Sequence, residues 1–240
     1  LIRSVLAIRA DLSPEPGERP RGSAIFLDGL RFTWHERRLR TLLFLETITA
    51  CFGVFYVTLV PSYVERTLGL SDAAAKAGNG HAYSAIGLGA LAGLVFATTL
   101  TDDRVRIRLV QLAMVLLGLG LIGLSFLRTE WTTWPFFALA GACAVIQFNT
   151  TNGLFQTLAP EGMRGRVLSL HVWALNGLSP FGALALGWVA SANKDLPGGG
   201  VPLAMRIGAG IVLASAVLGW FLLPKKVLSG ECATTPSKIA

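Results

Sequence analysis

Glu46 is the only acid set well inside an apolar run of this chain, "TLLFLETITACFGVFYVTLV". A carboxylate held away from water either exchanges a proton or finds a counter-charge. Glu46 is therefore a candidate proton-coupling site. Standing about one turn from the near end of its run, roughly 7 Å deep at 1.5 Å per residue, it is also a candidate for an interfacial ion pair with Arg40 or an Arg of a neighbouring loop. His171, five residues beyond Arg166, reads as an interfacial or inter-helix hydrogen bonder rather than a titrating switch. Amides form a second set. Asn149, Asn152 and Gln156 follow one another at steps of 3 and 4 residues, which keeps them within about 60° of each other on a helix. Such a stripe hydrogen-bonds either a ligand or a neighbouring helix. Gln147 points to the opposite side and reads as a packing hydrogen bond. With Glu46 and Asn176, the stripe is the candidate border of a cavity for a small-molecule substrate.

These residues sit in a chain whose composition fixes their setting. Of 240 residues 52% are hydrophobic and 15% charged, with mean hydropathy +0.58, against roughly 25% charged in a soluble domain. This is the balance of an integral membrane protein, in contact with the lipid bilayer. The net charge of +7 does not point to nucleic acid, because Lys and Arg fall between the apolar runs rather than on one face of a soluble domain. Cys51 and Cys143 lie inside apolar runs and Cys232 in a polar tail, so no disulfide or metal framework is expected. No cofactor motif and no nucleophile–base pair can be picked out either, so the chain does not read as an enzyme.

Six apolar runs are long enough to cross about 30 Å of hydrocarbon, near 42–63, 80–100, 107–127, 134–158, 167–190 and 203–223. An all-α membrane fold of six transmembrane helices is predicted, with residues 41–224 as the bundle, 1–23 as a Pro-rich linker and 225–240 as a tail. The segments on one side of the six runs hold 16 of the 21 basic residues, which predicts that side, with both ends of the chain, to be cytoplasmic. Arg206, at the start of the last run, should snorkel to the other surface. Residues 24–40 place Phe26, Leu27, Leu30 and Trp34 along one helical stripe and Arg31, Arg37, Arg38 and Arg40 elsewhere, the pattern of an amphipathic helix on an anionic surface. Ala85, Gly89, Gly93 and Ala97 recur every four residues in the second run, a face that lets another helix approach closely. Pro180 interrupts the fifth run and should kink it. Polar residues collect in runs one, four and five, whereas runs three and six are almost wholly apolar, which predicts two lipid-facing helices and an inner group around a polar space.

The stretches "LVPSYV", "DDRVRIR", "LFQTLAPEGMRGRVLSL" and "LSPFGALALG" together resemble the C-terminal six-helix half of major facilitator superfamily transporters, and most nearly the bacterial exporters that include enterobactin and macrolide efflux pumps. The most specific piece is carried by Gln156, Leu158, Pro160, Arg164, Gly165, Arg166, Val167 and Ser169. Asp103, Arg104 and Arg108 match the superfamily's cytoplasmic gating loop, with Thr99 and Arg106 at its two glycine positions; Arg164 and Arg166 mark the next cytoplasmic turn. The resemblance implies half of a twelve-helix fold built as 3+3 inverted repeats. It also implies an N-terminal six-helix half outside this sequence, location in the bacterial inner membrane, and proton-coupled export by alternating access. A non-transporting anchor or assembly module of a larger fused protein is the alternative.

Overall fold

The computed structural model describes residues 22–100 and 102–222; the linker before residue 22 and the tail from 223 lie outside them. Helices make up the chain in the order α1 (Gly22–His35), α2 (Arg37–Ile48), a π-helical turn (Thr49–Gly53), α3 (Tyr56–Ser62), a second π-helical turn (Tyr63–Thr67), α4 (Asp72–Thr98), α5 (Asp103–Phe126), α6 (Glu130–Leu158), a 3₁₀ turn (Glu161–Met163), α7 (Arg164–Gly177), α8 (Ser179–Ala192) and α9 (Val201–Leu222). No strand occurs among the described residues. Six spans result: Arg37–Thr67, Asp72–Thr98, Asp103–Phe126, Glu130–Leu158, Glu161–Ala192 and Val201–Leu222. Their 22 to 32 residues run roughly 33–48 Å at 1.5 Å per residue, enough to cross about 30 Å of hydrocarbon with polar turns to spare.

The spans begin two to eight residues before the apolar runs do. Backbone hydrogen bonding carries each helix past the apolar boundary until a start signal appears, such as the Asp102 carboxylate that accepts the Arg104 N–H at 2.9 Å ahead of α5. Residues 24–40 divide accordingly: α1 ends at His35, and Arg37 onward is the first turn of span one.

Spans two and four meet backbone to backbone. Gly89 and Gly93 are buried; a Cβ on Gly89 would overlap the Ala138 carbonyl, one on Gly93 would lie 2.5 Å from the Ala142 oxygen, and one on Gly141 would overlap the Ile86 carbonyl. Only a residue without Cβ permits this approach, which in lipid supplies the dispersion contacts that hydrophobicity cannot. Apolar packing fills the rest in two clusters, one around Tyr56, Tyr63, Leu121 and Phe137, the other around Leu42, Leu45, Met114 and Leu154. Span three packs between spans four and six. Between Leu109 and Phe126 every exposed residue is apolar, namely Leu112, Leu116, Leu119 and Phe126; beyond Arg206 the same holds for span six.

Spans one and five are broken helices, and their breaks touch. Span one changes to π-helical winding at Thr49–Gly53 and turns at Val54 and Phe55, while span five is divided at Leu178, with Pro180 in the first turn of α8. Gly182 lies so close to Cys51 that a Cβ there would overlap the Cys51 backbone. The Cys51 thiol in turn donates to the Leu178 carbonyl at 3.2 Å. A break inside a membrane frees backbone groups that only protein can satisfy, and here each broken span attends to the other.

At the end opposite α1, Tyr63 donates to the Leu124 and Leu127 carbonyls at 2.9 and 3.2 Å. Arg206 reaches that same end, where its Nε donates to Ser125 Oγ at 3.0 Å and its guanidinium lies 4.3 Å from the Phe126 ring centroid. Gly198, Gly199 and Gly200 all take positive φ, which lets the chain turn tightly into span six.

The contact between spans two and four generates a paired prediction. Gly89→Leu should cost about 3 kcal/mol of stability by overpacking, whereas Gly87→Leu, whose added Cβ meets nothing within 4 Å, should leave stability unchanged; thermal unfolding of the detergent-solubilised protein measures both.

Candidate functional site

Glu46 is completely buried, nine residues from Arg37 and so roughly 13 Å along span one from its start. Its partner is His171 of span five, 4% exposed, whose Nδ1 lies 2.5 Å from Glu46 Oε1. The contact has ion-pair distance but not the direction of a good hydrogen bond, and neither carboxylate oxygen has a hydrogen-bond partner among the described residues. The Phe155 ring of span four closes over the imidazole edge to face at 5.7 Å. Three spans thus converge on one buried pair. Arg40 is not the counter-charge: its Nη1 donates to the Trp34 carbonyl at 3.2 Å. The helix starts five residues before the apolar run, so about two turns of span one precede Glu46 on the polar side while its distance from the start of the apolar run stays about one turn.

One turn further on, a second polar contact joins spans one and four. Gln147, fully buried, donates through Nε2 to Thr49 Oγ1 at 2.9 Å, the packing hydrogen bond expected from its position. Thr150 and Thr151 continue the buried face of span four, and their hydroxyls have no protein partner among the described residues.

The amide stripe takes the other face of span four. Asn149 and Gln156 are exposed and Asn152 half-buried. Gln156 Nε2 donates to Asn152 Oδ1 at 2.7 Å, whereas Asn149 donates to the Val145 carbonyl of its own helix at 3.1 Å. Asn176 of span five is exposed and donates to the Val172 carbonyl at 3.2 Å. The structure brings Asn152 and Gln156 together; none of the four bonds to Glu46, which faces the bundle interior. A cavity of about 650 Å³ opens instead beside the helix breaks, lined by Val54, Phe55, Thr58, Ser179, Pro180 and Leu184 among others. Of the candidate residues only Pro180 lines it.

The loops are locally satisfied. Asp103 pairs with Arg106 of its own turn at 3.4 Å, Arg106 Nε donates to the Leu100 carbonyl at 2.9 Å, and Arg104 and Arg108 are exposed. Arg164 Nε donates to the Ala159 carbonyl at 3.3 Å. Arg166 reaches across the chain to Asp28 of α1 at 3.2 Å, and Gly29 sits so close that a Cβ there would lie 2.9 Å from Arg166 Cβ. With Phe26 against Trp173 at 5.8 Å, α1 is docked on span five. Among the described residues no group of His, Cys, Asp and Glu could hold a metal ion.

A bundle of six membrane-length helices, two of them broken, is half of the major facilitator architecture. The chain belongs to the transmembrane secretion effector family, which matches it over residues 1–236. It is similar to the multidrug efflux pump Tap of Mycobacterium tuberculosis, 28% identical over 187 residues that make up 75% of this chain and 42% of that protein. The same protein of Mycolicibacterium fortuitum is 25% identical over 173 residues, 69% of this chain and 39% of the other. The chain therefore spans about two fifths of the length of these curated relatives. No solved structure gives a significant match.

Breaking the buried pair from the His171 side tests its state. His171→Leu should destabilise the bundle by about 3–5 kcal/mol, the cost of leaving one charge unpaired in the interior. Glu46→Gln combined with His171→Leu should recover most of that loss. Equal losses in the single and double variants, read by thermal unfolding in detergent, would show an uncharged contact.

Proposed function

We propose that this chain is half of a proton-coupled exporter of small amphiphilic molecules, and that the Glu46–His171 pair carries the coupling proton. The observation that supports this reading is the full burial of a carboxylate whose titratable partner stands on another span, beside the broken segments of both helices. An anchor would gain nothing from such a pair, since a buried ion pair contributes little net stability over apolar packing.

With one proton shared between them, carboxylate and imidazole are neutral as a pair. Adding a second proton, or removing the only one, leaves a net charge in a low-dielectric interior, at a cost of several kcal/mol. Proton exchange therefore favours a state in which spans one and five part enough to admit water. The contact of Gly182 on Cys51 and the turns at Val54 and Leu178 are where such a motion is absorbed. Protonation thus biases one of two arrangements of the bundle, which is what coupling requires. The cavity beside the breaks is the proposed substrate site, with Asn149, Asn152, Gln156 and Asn176 on the surface that faces a second six-helix bundle across a shared pathway. The relatives' greater length supports that second bundle. Their printed function supports efflux of several small molecules as the direction and substrate class.

The basic end, with α1 and the connections between spans two and three and between spans four and five, is proposed to face the cytoplasm of a bacterial inner membrane, by the excess of Lys and Arg there.

Glu46→Gln in the complete transporter, with both bundles present and reconstituted into vesicles, should abolish substrate movement driven by a proton gradient while leaving insertion intact. Substrate flux is measured with and without the imposed gradient. Wild-type flux and pH dependence in that variant would reject Glu46 as the coupling group.

A further inference from the structure

A groove of about 480 Å³ runs between α1, the start of span one and the end of span six. Trp34, Arg37 and Arg40 line its outer end, and Leu43, Phe44 and Leu218 its inner end. Phe44 and Leu218 are 41% and 46% exposed, so the inner end opens sideways at the depth of the spans. From Arg37 to Thr47 it descends roughly 15 Å along the helix, from the basic turn ahead of the apolar run into the first part of that run.

Its two guanidinium groups, of Arg37 and Arg40, have no counter-charge among the described residues, although Arg40 Nη1 donates to the Trp34 carbonyl at 3.2 Å. Arg40 lies 5.7 Å from the Trp34 ring centroid, its guanidinium held at the rim. Thr33 also lines the groove and is 1% exposed, yet its hydroxyl has no hydrogen-bond partner among the described residues. Thr41, on the same groove, donates to the Arg37 carbonyl at 2.9 Å, as a helical threonine ordinarily does. A buried hydroxyl without a partner costs stability, and this one lines the same groove as two cations and an apolar slot.

We infer that this groove binds one anionic phospholipid, its phosphate on Arg37, Arg40 and the Thr33 hydroxyl and one acyl chain along Leu43, Phe44 and Leu218. A cationic amphiphile is opposed by the two guanidinium groups. Charge also opposes the tail that follows Leu222, which carries Lys225, Lys226 and Lys238 against Glu231 alone. The geometry further ties the lipid to α1, which closes one wall of the groove and is docked on span five through Asp28 and Arg166.

Native mass spectrometry of the full-length protein, titrated with phosphatidylglycerol or phosphatidylcholine, tests the assignment. Wild type should retain one phosphatidylglycerol at least tenfold more tightly than phosphatidylcholine, and Arg37→Gln with Arg40→Gln should remove that preference, a loss of up to about thirtyfold for two near-surface cations. Thr33→Val, a milder change that keeps the fold, should weaken retention several-fold. Arg31→Gln with Arg38→Gln, the same change of charge outside the groove, should leave retention within twofold. Equal binding of the two lipids, or equal losses in the two arginine pairs, would overturn a specific site in favour of general surface attraction. Displacement of the bound lipid by millimolar glycerol phosphate would overturn it in favour of a free phosphate site.

Discussion

In hydrocarbon a charged or polar group has only protein to turn to, and the placement of Glu46 is the sharpest case of that constraint in this bundle. Its carboxylate must find its counter-charge on another helix, which sets the register of span one against span five at His171. The imidazole is then shielded by Phe155, which brings span four to the same level. Gln147 and Thr49 repeat the logic one turn deeper with neutral groups, and the Cys51 thiol repeats it again for the carbonyl released at Leu178. The relative heights of spans one, four and five are thereby fixed by polar contacts rather than by fit alone, because a helix that slid by one turn would leave each of these groups unpaired.

The bundle is uneven as a result. Spans two, three, four and six are continuous helices, and spans two and four are locked backbone to backbone at glycine. Spans one and five carry both discontinuities and hold each other by the Glu46–His171 contact, one thiol and one glycine contact. Motion is easiest along that seam, since packed continuous helices are bistable or rigid while π-helical turns and helix breaks absorb changes in backbone angles. Helix α1 lies across the seam: it is joined to span one at Glu36 and docked on span five at Arg166. A change in the spacing of the two spans must therefore move α1 as well.

The sequence carried the architecture well and the site less well. Six spans, the tight face at Gly89 and Gly93, the inward Gln147 and the outward reach of Arg206 all follow from apolar length, residue size and helical phase, which are local properties. Glu46 was visible as an acid in an apolar run, but its partner was not, because His171 is 125 residues away in the chain and an interior ion pair leaves no pattern at either position alone. The cavity beside the breaks was missed for a related reason: Val54, Phe55 and Leu184 are apolar and look like ordinary span residues. The turn at Val54 and Phe55 had no proline or start signal to announce it. The adjacent Gly53 was the one available clue; a Cβ there would lie 2.8 Å from the Thr49 side chain.

The glycine contact between spans two and four bears on how far such a sequence can drift. Backbone meeting backbone asks nothing of side-chain identity except its absence at Gly89, Gly93 and Gly141. The outward faces of both helices are then at liberty to exchange one apolar residue for another without disturbing the crossing. The crossing of these two helices therefore depends on three positions, and the rest of both helices is constrained only to stay apolar where it meets lipid.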